Sequence, residues 1–333
     1  MLNSAFIIKS PNYICLIVSC LVLTACGGGG SSAPEAPVNN VIEEVVEETN
    51  ETPVDDRTVL STVTLTADGN NTGTNTYDII QNVLAVGSIE SPDLYSGNHQ
   101  GDGQHIIQGT DEEVGHYFIF LSHRDLDKDR DKDYTDRQRN EIKAYDKSVD
   151  ALKAFEGETL QYSWKFKILS GMELSSKFSH FFQLKAVNAS ESYANGNDSQ
   201  PIITISGAEK SDIGNALQVR HNAGHDIAGN TTSSDYIYQE SSGWNDIAGE
   251  WVEVIAEATF SEQGTFKLTM TRLSDEKEII NINKSNIDMW RGNEASDFVR
   301  PKWGIYRSIV ETNSLRADEE QVFFTDFSIK KLL

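Results

Sequence analysis

The stretch LQYSWKFKIL, residues 160–169, decides the fold class. Tyr162, Trp164, Phe166 and Ile168 alternate with Gln161, Ser163, Lys165 and Lys167. A period of two with one apolar and one polar parity describes a β-strand with a buried face and a wet face. Working outward, the same alternation recurs at 60–67, 116–121, 181–187, 201–206, 216–221, 235–239, 250–260, 264–272, 303–310 and 321–332. Gly, Asn, Asp and Ser clusters separate these runs, as turns between antiparallel strands require. Only TYDIIQNVLAV, residues 76–86, passes for a short helix. About a dozen strands without a second composition regime imply one all-β domain, a two-sheet antiparallel jelly roll with a concave groove. Within 249–273 a Trp-led strand, a short polar turn and a second alternating strand resemble the sandwiches of laminin-G and concanavalin type.

The N-terminus sets the compartment. Lys9 precedes an apolar run from Ile14 to Ala25 that ends in Leu23-Thr24-Ala25-Cys26. A spanning helix needs about 20 apolar residues, so this shorter run reads as an export signal, residues 1–25. The Leu-x-Ala-Cys ending resembles the bacterial lipobox, which implies lipidation of Cys26. Gly27 in place of an aspartate favours the outer membrane. Residues 26–57, opening GGGGSSAPEAP and continuing into an acidic run, read as a disordered tether. The folded domain is then 58–333. All three cysteines lie at 15, 20 and 26, so this domain has no disulfide, thiolate nucleophile or Cys-ligated metal. The net charge of −23 argues against nucleic acid as a partner. The expected arrangement is a monomer that meets the membrane through its N-terminal lipid only.

Three strands place polar groups on one face. In DRQRNEIKAYD, residues 136–146, Arg137, Arg139, Glu141 and Lys143 share a parity, about 6.5–7 Å apart along a strand. Gln183 and Lys185 oppose Phe182, Leu184 and Ala186. Arg300, Lys302, Gly304, Tyr306 and Ser308 oppose Trp303 and Ile305. A solvated outer face tolerates such a charge run equally well; three distant strands doing so together point to a groove. Gly304 leaves room for a sugar ring to approach the backbone.

These strands resemble the signatures of jelly-roll polysaccharide lyases. Arg139, Glu141 and Lys143 match Arg-x-Glu-x-(Arg/Lys); Gln183 and Lys185 match Gln-x-(His/Lys); Lys302, Gly304 and Tyr306 match Lys-x-Gly-x-Tyr. The longer runs DRQRNEIKAYDKS, YSWKFKI, HFFQLKAV, KWGIYRS and FTDFSIKKL are most similar to the ulvan lyases of polysaccharide lyase family 28, from about Leu65 to the C-terminus. The chain departs from the alginate-lyase pattern at Lys185, where that pattern has His. The resemblance implies β-elimination on a uronate polysaccharide, ulvan favoured, with glucuronan, alginate or heparin-type chains as alternatives.

Removing the C5 proton of a uronate needs cations and amide donors at its carboxylate, because enolate-like charge develops there. Arg139, Gln183 and Lys185 are the candidates for that role. Tyr306, assisted by Lys302 four residues earlier on the same face, is the candidate acid–base group; nearby cations would favour its phenolate. Arg137, Glu141, Lys143, His123 and Arg300 are expected to bind substrate, with Arg137 mattering less than Arg139. Among His105, His123, His180 and His221, His180 falls on the apolar parity of its strand, which leaves His123 as the histidine at the groove edge. No cofactor is required. DLDKDRDKD, residues 125–133, places aspartates at every second position and offers oxygen ligands for calcium without EF-hand spacing. Two other functions compete: a non-catalytic carbohydrate-binding lipoprotein, and a glycoside hydrolase, for which the paired carboxylates on one strand are missing.

Overall fold

The computed structural model describes residues 57–101, 103–187, 200–223 and 233–333; the signal, lipobox and most of the tether lie outside them. Among the described residues fifteen strands form two antiparallel sheets. The first contains β1 (Val59–Leu65), β3 (Ile106–Asp111), β4 (Gly115–His123), β6 (Thr159–Ile168), β11 (Val252–Thr259), β12 (Gly264–Arg272), β13 (Glu278–Ile287) and β15 (Glu319–Leu332). Its order is β13-β12-β11-β6-β15-β4-β3, and β1 pairs with the C-terminal half of β15. The second contains β2 (Ile89–Glu90), β5 (Arg137–Lys143), β7 (Ser179–Val187), β8 (Ile203–Lys210), β9 (Gly214–Asn222), β10 (Ser234–Glu240) and β14 (Phe298–Ser308), in the order β10-β9-β8-β7-β14-β5-β2. This is the two-sheet jelly roll that the alternation implies.

The alternation is realised as burial. Along β6 the apolar parity is buried and the other half-exposed. Trp164 stacks on Phe182 of the opposite sheet at 4.4 Å between centroids, and Trp303 meets Phe327 at 5.1 Å. The core lies between the sheets, where each fully buried large apolar side chain contributes about 1.5–3 kcal/mol.

Helix α1 (Thr76–Leu84) occupies the expected place. The Asn75 side chain accepts from the Tyr77 N–H at 2.8 Å, a local N-cap, and Tyr77, Ile80 and Leu84 turn inward. Strand β13 buries Ile280 and Ile282, packs Ile279 and Ile287 against the rim of the core, and is polar from 283 to 286; its adjacent Ile279 and Ile280 break the alternation that would reveal it. Helix α2 (Ser241–Ile247) is short and polar in sequence, anchored by Trp244 and Ile247. Among the described residues no helix is long and apolar enough to cross a membrane.

Candidate active site

The outward face of β5, β14 and β7 is a floor of charge. Pairing sets its rows. Tyr306 lies opposite Arg139 on one side and His180 on the other. Gly304 lies opposite Glu141, which in turn faces Glu90. Lys302 lies between Lys143 and Gln183, and Arg300 faces Lys185. Gly304 has φ +140°, and a Cβ there would sit 2.2 Å from the Asn140 carbonyl oxygen, so the close approach of β14 to β5 demands glycine.

A cleft of about 400 Å³ opens over these rows. Among the described residues seven cations line it, Arg130, Arg137, Arg139, Lys185, Arg220, Arg300 and Lys302, against one carboxylate, Glu90. A protein of net charge −23 thus holds a concentrated basic cleft, the distribution that an anionic ligand needs.

The cations fall into two groups. Arg139 and Lys302 are buried and committed to neighbours. Arg139 donates to Asp129 at 2.7 and 3.2 Å, bonds Glu141, and lays its guanidinium 3.6 Å from the centre of the Tyr306 ring. Lys302 reaches Glu90 at 2.6 Å and Glu141 at 2.7 Å. Burial pushes the Lys302 ammonium below its usual range, and the like charge of Arg139 adds to this. Glu90 is held well below the carboxylate range: burial opposes ionisation, and Lys302, Arg139 and Lys143 outweigh it. Arg130, Arg137, Lys185, Arg220 and Arg300 are half-exposed at the rim. These are the cations a ligand can touch.

Tyr306 stands at the junction. Its hydroxyl accepts from Arg137 at 3.1 Å, and Phe178 and His180 flank its ring at 5.1 and 5.9 Å. Burial raises its hydroxyl above the usual tyrosine value despite the opposing pull of Arg139 and Arg137. The nearby cations do pull toward the phenolate as expected, but desolvation outweighs them and the phenol stays protonated. The role expected of Lys302 is corrected, since its ammonium pairs with Glu90 and Glu141 while the hydroxyl partner is Arg137.

His180 overturns a parity argument. On β7, Phe181 is an extra residue relative to β8, because His180 pairs with Ser206 and Phe182 with Ile205. Phe181 and Phe182 both enter the core, and the bulge returns His180 to the cleft face beside Gln183 and Lys185. Burial, reinforced by Arg220 and Arg139, drives its imidazole down to about 3, so it is neutral at physiological pH. Its Nδ1 lies 2.7 Å from the Ser206 hydroxyl.

Other expectations change as well. Glu141 is fully buried and bonds Arg139, Gln183 and Lys302; it braces the floor and does not line the cleft. Gln183 donates to Glu141 with one amide N–H. Lys143 pairs with Glu90 at 2.6 Å beneath the cleft and does not line it. His123 points away, into a cluster with His99 and His105. The aspartates of 125–133 do not converge: Asp125 pairs with Arg124, Asp127 joins the histidines, Asp129 holds Arg139 and Arg130, and Asp131 pairs with Lys132. Sequence reasoning did not single out Glu90, Arg130 or Arg220. Glu90 sits on a two-residue strand, Arg130 on a loop, and Arg220 on β9 at the far side of β8.

The backbone arrangement has solved counterparts. A marine alginate lyase of family PL-14 from Aplysia kurodai is 10% identical with a TM-score of 0.50, over 82% of this chain and 98% of that chain. The fold is that of the jelly-roll polysaccharide lyases. The endo-β-1,4-glucuronan lyase of the fungus Trichoderma reesei is 14% identical with a TM-score of 0.48, over 73% and 94% of the two chains. A family 7 alginate lyase in complex with substrate is 12% identical with a TM-score of 0.46, over 73% and 91%. No family model matches the sequence, and no curated protein matches it. At these identities the likeness is one of fold, and the chemistry rests on this chain's own residues.

Proposed function

We propose that the protein is a polysaccharide lyase that cleaves a uronate-containing anionic polysaccharide, ulvan first among the candidates, by β-elimination. The observation that carries this reading is the row Arg139–Tyr306–His180, lying in a cleft of seven cations.

Rim cations Arg137, Lys185 and Arg300 meet the uronate carboxylate and stabilise the charge that grows on it as the C5–H bond weakens. His180 acts as the base. With Nδ1–H donating to Ser206, the lone pair of Nε2 takes the C5 proton, and a bound carboxylate raises the basicity that burial had suppressed. The electron pair of the C5–H bond forms the C4–C5 double bond. As the C4–O bond breaks, the protonated Tyr306 hydroxyl gives its proton to the leaving oxygen. Arg137 then steadies the phenolate at the hydroxyl it already contacts. Arg139, stacked on the ring and fixed by Asp129 and Glu141, holds Tyr306 in place. Preference for ulvan rests on the resemblance of the strand runs from about Leu65 onward.

The test is incubation with ulvan, alginate, glucuronan and heparin, following the ultraviolet absorbance of the new double bond. Unsaturated product from one of them is expected. New reducing ends without unsaturation would replace elimination by hydrolysis, and binding without cleavage would make the protein a carbohydrate-binding lipoprotein. The proposal includes a place of work: lipid on Cys26 anchors the protein at the outer membrane. Cys26→Ser should move it out of the membrane fraction; an unchanged distribution sinks the anchor.

A further inference from the structure

On the opposite side of β5 from the cleft, three histidines and an aspartate converge. His99 lies in the loop before β3, His105 immediately precedes that strand, His123 ends β4 and Asp127 follows in the next turn. One ligand atom from each lies within 4.8 Å of all the others. His99 Nδ1 is 2.9 Å from Asp127 Oδ1, His105 Nε2 is 3.0 Å from His99 Nδ1 and 3.3 Å from Asp127 Oδ1, and His123 Nδ1 is 3.5 Å from Asp127 Oδ2. Metal bonds of about 2.0–2.1 Å in a tetrahedron separate their ligands by roughly 3.3 Å; the four contacts above, at 2.9–3.5 Å, bracket that spacing, and the whole set stays within 4.8 Å. The three imidazole rings meet pairwise edge to face, at 4.7–4.9 Å and 81–88°.

The groups behind these ligands are arranged for the same purpose. The outer nitrogen of His105, Nδ1, lies 3.2 Å from the Gly103 carbonyl oxygen and 3.4 Å from Asp93. Asp93 is itself held by the hydroxyls of Tyr77 at 2.7 Å and Ser91 at 2.5 Å. The outer nitrogen of His123, Nε2, lies 3.1 Å from Glu319. Carbonyl and carboxylate partners on the outer nitrogens fix the tautomers that turn lone pairs inward, as second partners of metal-bound histidines do. The inner nitrogen of His123, Nδ1, is buried without a hydrogen-bond partner, and a buried polar atom of that kind calls for a ligand.

We propose that His99, His105, His123 and Asp127 hold one Zn²⁺ ion in a closed, structural site that locks the 124–136 loop onto β5. Imidazole and carboxylate donors in a tetrahedral set select zinc over calcium, which takes six to eight oxygens. Four protein ligands leave no position for substrate, and none of the four lines the cleft. The ion reaches the cleft through the chain. Asp127 is followed by Lys128, whose carbonyl accepts the Arg139 N–H at 3.4 Å, and by Asp129, which holds the Arg139 guanidinium. From the core side of β5, Asn140 donates to the carbonyls of His105 and Leu121, and Gln138 to that of His123. Metal on one side of β5 thus fixes the carboxylate that positions Arg139 on the other.

Elemental analysis of the purified protein tests this without reference to activity. One zinc per chain is expected, or uptake of one equivalent after chelator treatment, with a rise in melting temperature. Co²⁺ in its place should show the intense visible bands of tetrahedral cobalt. Asp93→Asn, which leaves all four ligands in place, should weaken zinc affinity about 10–100-fold; the double variant His99→Gln/His105→Gln should abolish uptake. Wild-type protein that stays folded and takes up neither Zn²⁺ nor Co²⁺, or that takes up calcium instead, overturns the site. Uptake undiminished in the double variant does so too. If the double variant does not fold, the affinity of Asp93→Asn and the cobalt spectrum of the wild type decide.

Discussion

Two strands with the same alternation, β6 and β5, have opposite fates on their polar faces. On β6, Lys165 and Lys167 are about a quarter exposed, and their partners are the surface carboxylates Asp326 and Asp111 at 2.9 and 4.0 Å. On β5, Arg139 and Glu141 are at most 8% exposed and belong to a network with Glu90, Asp129 and Lys302. A charged face left to water needs nothing further. A charged face under cover must satisfy every member, because one unpaired buried charge is costly. The lesson is that burial of paired charge, rather than charge alone, separates the cleft from the ordinary outer surface.

The comparison can be broken most decisively at Tyr306. Tyr306→Phe removes one hydroxyl from the buried network and should lower kcat about 10²–10⁴-fold while the melting temperature changes little. A folded variant with most of its turnover would take Tyr306 out of the chemistry and return the face to scaffold. Lys302→Ala removes one of the two cations, the other being Arg139, that Glu90 and Glu141 share, and the expected loss is about 3 kcal/mol of stability in denaturant titration, the lower end for a broken buried pair. Arg137→Ala deletes the donor to the Tyr306 hydroxyl, an interaction of about 1.5–3 kcal/mol when one partner is charged. Turnover should fall roughly 10–100-fold by the same principle, more than its place at the strand end suggests.

His180 sharpens the contrast through pH. Its folded-state value of about 3 lies below the unfolded value of about 6.5. Between these the unfolded chain binds a proton that the folded chain refuses, so stability is lost as pH falls from 6.5 toward 3. Urea midpoints measured across that window should decline less steeply in His180→Gln than in the wild type; parallel slopes would show that the ring is not held neutral. The smallest effect belongs to β6. Lys165→Ala should change stability by about 0–1 kcal/mol and leave turnover intact, and a larger loss would erase the distinction between the two faces.

Much of this was legible in the sequence, for physical reasons. Trp164, Phe166, Trp303 and Ile305 reveal their strands because burial selects every second residue. Arg137, Arg139, Gln183, Lys185, Arg300, Lys302 and Tyr306 line the cleft as the shared parities imply. What escaped depends on information that periodicity does not carry. Glu90 enters from a strand of two residues, too short for any alternation. The roles expected of Glu141, Lys143 and Lys302 turn on depth, which parity does not encode: all three face outward, yet Glu141 and Lys143 lie beneath the cleft, and Lys302 at its floor is paired with Glu90 and Glu141. His99, His105, His123 and Asp127 come from three segments that only the β3–β4 pairing and the following turn bring together.

The bulge at Phe181 acts on side chains as a frameshift acts on codons. Every residue of β7 before it is read on the other face from the one that simple counting assigns. A regular strand that kept Phe181 without the bulge would have the same composition, yet it would send His180 into the space between the sheets and turn Phe181 and Ser179 toward the cleft. Strands of this kind change which side chain faces a cleft without changing their letters, so counting alone misplaces a residue wherever a bulge is gained or lost.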